Sequence, residues 1–297
     1  MSMQSQRRHR RRFSFEFFPP RSAEAAEKLA TTSARLARLQ PDYFSVTFGA
    51  GGSTRERTLE SALSLRERTG IPVAPHVSCI GYPLTEIRSL LAKYLELGFD
   101  HVVALRGDMP SGTVGFGELR YANELVAFIR QETGEQFEIE VAAYPEVHPQ
   151  AGSVQRDLDN FARKVAAGAD AAITQYFYNP DAYFRFVDAC ERRGIDIPIT
   201  PGIMPIVSCT QLARFSEACG AEIPRWILYR LREFGDDRVA IREFGIDVTS
   251  ELCRRLLDQG APGLHFYTMN QAEAAEAVWQ ALDLGSLRGA PAAAAQA

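Results

Sequence analysis

Lysine is almost missing from this chain of 297 residues: of 33 basic side chains, only Lys28, Lys93 and Lys164 are lysines. All three fall in stretches with helical patterning, so no lysine is expected at a strand end. Schiff-base aldolases and pyridoxal-phosphate enzymes need one there, and both recede. Cysteine is scarce as well. Cys79, Cys190, Cys209, Cys219 and Cys253 are odd in number and contain no CxxC spacing. Structural zinc and iron–sulfur ligation are disfavoured, and a reducing cytoplasm is the expected setting. No apolar run approaches the roughly 18 residues of a membrane-spanning helix. The arginine-rich N-terminus has no hydrophobic stretch behind it, so neither membrane insertion nor Sec-type export is expected. HxH and HExxH pairs are absent, which argues against a metal site built on His76 or His148.

The formal net charge is −4, although Arg7, Arg8, Arg10, Arg11 and Arg12 crowd the N-terminus. The rest of the chain is therefore more acidic than its net charge suggests, which speaks against nucleic-acid binding. Residues 1–12 read as a disordered basic tail and residues 285–297, rich in alanine, as a second one. Hydrophobic residues make up 46%, enough to bury a large core between those tails.

That middle section repeats one theme: a short β-rich run, a turn, then an amphipathic stretch. The runs are FSFEFF from Phe13, DYFSVTF from Asp42, IPVAPHV from Ile71 and HVVALRG from His101. FEIEVAAY from Phe137, AAITQYF from Ala171, IPITPGI from Ile197 and GLHFYTM from Gly263 complete the set. Eight such units predict an α/β fold, a (β/α)8 TIM barrel over residues 13–284. An extra helix, IPRWILYRLREFG, has room ahead of the last strand. An open doubly wound sheet is the rival, but PPRSAEAAEK follows the first strand where GxGxxG would stand.

In such a barrel the chemistry lies at the C-terminal strand ends. Polar groups there include Glu16, Thr47, His76, Arg106, Asp108, Tyr144, Glu146, His148, Gln175, Tyr267 and Asn270. In FSFEFF, Phe13, Phe15 and Phe17 take one face, and Ser14 and Glu16 the other. The aromatic face suits the covering helices, so Glu16 should point inward, as an acid/base group or as a buried partner of an arginine. Asp108 in LRGD can stabilise positive charge or simply close a turn, and Arg106 can hold an anion bidentately. GAGGST, after the second strand, reads equally as a phosphate cradle or a tight turn.

Taken together, FSFEFFPPR, VTFGAGGSTR, PHVSC, ALRGD, VAAYPEVHP, AAITQYF, PGIMPI and HFYTMN resemble the methylenetetrahydrofolate reductase family in its bacterial form. The resemblance spans Phe13 to Leu282. It implies a barrel holding FAD and a ping-pong reaction. NAD(P)H reduces the flavin and leaves; methylenetetrahydrofolate then takes its place and becomes 5-methyltetrahydrofolate, a methyl source for methionine synthesis. By the match, Glu16 and Asp108 are catalytic and touch the folate, with Glu16 the proton donor. Gln175, Gln211, Phe215 and Gln271 are the other folate-side positions. The implied FAD positions are Thr47, Phe48, Ala50, His76, Arg106, Gly107, Asp108, Tyr121, Ala122, Tyr144, His148, Ala151, Asp157, Asn160, Arg163 and Lys164. A cytoplasmic homo-oligomer, with no metal, membrane or nucleic-acid partner, completes the expectation. Two residues depart from the family pattern. Phe48 stands for a tyrosine, and Gln271 for the arginine that holds the folate's glutamate tail.

Overall fold

A computed structural model describes residues 3–48, 54–108 and 117–292. In chain order its elements begin α1 (Gln4–Arg7), β1 (Arg12–Phe17), α2 (Ala23–Ala37), β2 (Tyr43–Val46), α3 (Thr54–Thr69) and β3 (Val73–Ser78). There follow α4 (Leu84–Glu96), β4 (His101–Leu105), α5 (Ala122–Thr133), β5 (Glu138–Ala143), α6 (Val154–Ala166) and β6 (Ala171–Thr174). Next come α7 (Pro180–Glu191), β7 (Ile199–Thr200), β8 (Gly202–Ile203), α8 (Cys209–Cys219) and α9 (Arg225–Glu233). The last are α10 (Arg238–Asp258), β9 (Gly263–Tyr267), α11 (Glu273–Ala281) and α12 (Leu284–Leu287).

The strands form one sheet in the order β7-β6-β5-β4-β3-β2-β1-β9-β8. The pairs β2–β3, β3–β4, β4–β5 and β8–β9 are parallel. β7 and β8 are halves of one extended segment, IPITPGI, split at Pro201, which has no N–H to give to a ladder. Its carbonyl still accepts the His265 N–H at 2.9 Å. The fold is an α/β barrel of the (β/α)8 type, with α9 as the extra helix ahead of the last strand. No helix among the described residues is long and apolar enough to cross a membrane.

The chain gathers into two compact units. The first comprises Met1–Ser14, Ala143–Asp159 and Ile173–Ala297; the second comprises Phe15–Ala142 and Asn160–Ala172. In the second, Phe15, Phe17, Phe44, Val46, Val77, Ala104, Ile139 and Val141 are fully buried or nearly so. Alternation along β1 explains the aromatic contribution: its odd-numbered phenylalanines share one face, and Phe17 meets Phe44 edge-on at 5.1 Å. In the first unit Phe13, on the same strand face, packs against Trp279 at 5.5 Å. Helix starts follow the expected chemistry. The Ser22 hydroxyl accepts the Ala25 N–H ahead of α2, and Ser208 and Asp237 do the same for α8 and α10.

The tails are corrected. Residues 3–12 are ordered and packed rather than a disordered basic arm. Ser5 accepts no solvent role: its N–H and hydroxyl both donate to Glu191, at 2.7 and 2.8 Å. The buried Gln6 side chain donates to the Ile197 carbonyl at 3.1 Å and accepts the Ile199 N–H at 2.7 Å. Arg11 is 1% exposed and donates to the carbonyls of Leu257 at 3.0 Å and Ala292 at 3.3 Å. Burial lowers its pKa, with Asp258 opposing. Charge count alone reads such an arginine as solvated. What overrides it is the carbonyl-rich C-terminal end of α10, where a guanidinium fork finds acceptors and a favourable dipole. At the other end α12 is helical, Pro291 bridges to Arg10 and Ala292 is buried, so 285–292 is ordered too.

Candidate active site

In the second unit the expected residues gather at the C-terminal ends of β1 to β4. Glu16, on β1, places its carboxylate 3.4 Å from the Nε2 of His76 on β3. The His76 side chain is 5% exposed while that of Glu16 is 18% exposed, so the acid is the member that solvent can reach. Thr47 follows β2; its N–H donates to the Phe17 carbonyl at 2.9 Å, and its own carbonyl accepts the Thr58 hydroxyl at 3.1 Å. The Phe48 ring meets Tyr82 edge-on at 5.6 Å, forming a short aromatic wall. Ala50 lies outside the described residues.

The LRGD turn is laced to the segment after β3. The Ser78 hydroxyl and the Ile80 N–H both donate to the Arg106 carbonyl, each at 2.9 Å. Gly107 sits at φ +81°, and a Cβ there would stand 1.9 Å from the Ser78 oxygen. Only glycine fits, and it leaves bare backbone at the strand end. Arg106 is half-buried and Asp108 exposed. Cys79, behind this turn, has its thiol pKa pushed up to about 12 by burial. Tyr121 is exposed at the start of α5, its N–H donating to the Glu124 carboxylate at 3.1 Å, and Ala122 opens the helix.

On α6, Asn160, Arg163 and Lys164 belong to this unit. Their side chains are engaged locally. Arg163 donates to the Asn160 oxygen at 3.0 Å, and the Lys164 ammonium donates to the Ala142 carbonyl. Lys164 also lies 5.6 Å from the Phe161 ring.

In the first unit the AAYPEVHP segment forms a tight turn. His148 donates its N–H to Asp157 at 2.9 Å, and its Nδ1 accepts the Gln150 N–H at 3.0 Å. Ala151 closes the turn through its N–H to the His148 carbonyl at 2.8 Å. The Tyr144 ring packs edge-on against His148 at 4.5 Å. Glu146 accepts the Glu222 N–H at 2.8 Å, and burial raises its pKa against that hydrogen bond. Gln175 caps its own strand, its side-chain oxygen accepting the Tyr176 N–H at 3.0 Å. Gln211 lies in the first turn of α8; Phe215, one turn on, carries the Arg214 guanidinium 5.2 Å from its ring. Ser216 on the same helix meets the Tyr176 hydroxyl at 3.0 Å. Gln271 follows Met269 and Asn270, both left-handed at φ 52° and 54°, and its N–H donates to the Thr268 carbonyl at 2.9 Å.

Two polar groupings escaped the sequence reading. Ser14 and His265 are buried in the first unit and meet at 2.7 Å. In the second, His101, Glu138 and Glu140 converge where β4 and β5 begin. The signal was present in FEIEVAAY, since alternation puts both glutamates on one face.

The methylenetetrahydrofolate reductase family model matches residues 2–283. The chain belongs to that family. It is 40% identical to the 5,10-methylenetetrahydrofolate reductase of Escherichia coli (strain K12) over 269 residues, 91% of this chain and 90% of that protein. It is 37% identical to methylenetetrahydrofolate reductase (NADH) 1 of Zea mays over 92% of this chain and 48% of that protein. The fold also matches an uncharacterized protein from Clostridium thermocellum that binds two copies of 5-methyl-5,6,7,8-tetrahydrofolic acid. There the TM-score is 0.66 at 19% identity, covering 96% of this chain and 99% of that one. Membership in the methylenetetrahydrofolate reductase family makes the chain an enzyme of folate chemistry, and Glu16, Arg106 and Gly107 lie at strand ends, where barrel enzymes carry out their reactions.

Proposed function

We propose that the chain reduces 5,10-methylenetetrahydrofolate to 5-methyltetrahydrofolate with FAD and NAD(P)H by a ping-pong mechanism, in the cytoplasm and as a homo-oligomer, supplying methyl groups for methionine synthesis. The observation that carries this reading is the Glu16–His76 pair: a half-buried carboxylate, reachable from solvent, held 3.4 Å from a buried imidazole at the strand ends.

The residues fit a flavin. Gly107, at φ +81°, leaves bare backbone at the strand end, Thr47, His76 and Arg106 are polar groups of the same unit, and Phe48 supplies an aromatic ring. When bound, FAD supplies the hydride that passes from nicotinamide to folate. The chain's own residues do the rest. Glu16 delivers a proton to folate N10 as the methylene bridge opens, which leaves the one-carbon unit electrophilic at N5. His76 orients the Glu16 carboxylate. Asp108, an exposed anion at the same rim, favours the positive charge that develops on the pterin. Gln175 and Gln211 supply amide contacts to the substrates, and Phe215 an apolar face.

Three readouts test the proposal. Purified protein should release a flavin identifiable as FAD, bleach under anaerobic NADH or NADPH, and recover its colour with methylenetetrahydrofolate. In Glu16→Gln, bleaching should persist while recolouring slows by about 10²–10⁴-fold, the usual worth of a positioned proton donor. A colourless protein, or a variant that recolours at the parent rate, overturns the proposal.

A further inference from the structure

We propose that His101, Glu138 and Glu140 form a binding site for a divalent transition-metal cation of the zinc class, at the N-terminal ends of β4 and β5. The reductase chemistry uses none of the three. In the β4–β5 register His101 pairs with Glu138 and Val103 with Glu140, so all three side chains project from one face. One ligand atom from each lies within 4.8 Å of the others.

The closest pair already has coordination spacing. His101 Nε2 and Glu140 Oε2 are 3.2 Å apart. Two donors on a tetrahedral ion with bonds of about 2.0–2.1 Å sit roughly 3.3 Å from each other. Glu138 is half-buried on three rotatable bonds, and a change of rotamer would close the remaining gap.

A second observation points to a Lewis acid. The His101 side chain is 8% exposed, and its buried Nε2, although 3.2 Å from Glu140 Oε2, makes no hydrogen bond of good geometry. A buried ring nitrogen left in that condition costs free energy, and a cation bound there removes the cost. Tyr43 supports the arrangement from outside it. Its hydroxyl donates to Glu140 at 2.7 Å, and its ring meets the His101 ring edge-on at 4.6 Å, which fixes both donors. One imidazole and two carboxylates suit zinc, with a fourth position open to water. Bound there, the ion would clip β4 to β5 and stabilise the fold by linkage.

The test is zinc chloride titrated into full-length, flavin-retaining protein that has been stripped with a chelator, read against a chromophoric zinc competitor. One equivalent should bind per chain and raise the melting temperature. Glu138→Gln, at the half-buried edge of the cluster, should keep its circular dichroism, weaken binding by more than about tenfold and abolish the melting shift. His101→Gln should do the same; if it fails to fold, Glu138→Gln alone decides. No uptake by the parent protein, or a Glu138→Gln affinity within tenfold of the parent's, overturns the proposal.

Discussion

The resemblance to the reductase family implies an arginine at the position of Gln271, whose backbone is pinned by two left-handed residues before it and by the Thr268 carbonyl. If the proposed folate site holds, a neutral amide in that place would offer the glutamate tail a hydrogen bond but no charge. Gln271→Arg should therefore lower KM for methylenetetrahydrofolate by about tenfold with little change in kcat, since a charge-assisted hydrogen bond exceeds a neutral one by about 1–1.5 kcal/mol. Steady-state kinetics on parent and variant would check it, and an unchanged KM would sink the idea. At this scale the sequence was informative where the backbone forces a direction. Glu16 was readable because period-two alternation fixes which way it points. The local engagement of Lys164 was not, because no pattern in VQRDLDNFARK reveals that the Ala142 carbonyl lies within reach of its ammonium.

Helix α10 carries Gly245 in its interior, where glycine is normally the worst choice after proline. The usual Gly→Ala gain in a helix is about 1 kcal/mol. Here the sign reverses, because a Cβ at Gly245 would stand 2.0 Å from the Ile206 carbonyl. Gly245→Ala should cost about 1–3 kcal/mol, the usual range for overpacking, seen as a lower urea midpoint. A second element-level prediction concerns the hydrogen bond between Glu146 and the Glu222 backbone. Burial raises the Glu146 pKa above its unfolded value, so its contribution to stability is full below the unfolded carboxylate pKa and is lost as pH rises through the folded one. Glu146→Gln, which still accepts the Glu222 N–H, should therefore melt higher than the parent at pH 7. That advantage should vanish as the pH is taken down through the carboxylate range, followed by thermal denaturation. Element order was legible from the alternation of runs and caps, since each βα unit announces itself locally. The break of IPITPGI into two short strands was not, because whether Pro201 interrupts a ladder depends on which neighbours flank it.

For the molecule as a whole, the N-terminal segment is where composition misled. Five arginines look like a solvated arm, yet Arg11 is buried against carbonyls from α10 and the C-terminal residues. Arg11→Ala removes two hydrogen bonds from a charged donor, to the Leu257 and Ala292 carbonyls, each worth about 1.5–3 kcal/mol. It should lower the melting temperature clearly, as should removal of residues 1–11; an unperturbed melt in both would restore the picture of a loose tail. Long-range burial of this kind cannot be read from a run of like charges, because its partners lie hundreds of positions away.

That separation has a kinetic corollary. Arg11 and Ala292 meet across 281 positions, and the Arg12 N–H waits for the carbonyl of Pro262. Synthesised well ahead of those partners, these residues find their acceptors only once the chain has extended past them. The N-terminal edge of β1 is thus a late closure, leaving nascent chains with an unlatched first strand that chaperones or proteases can grasp until its partners emerge.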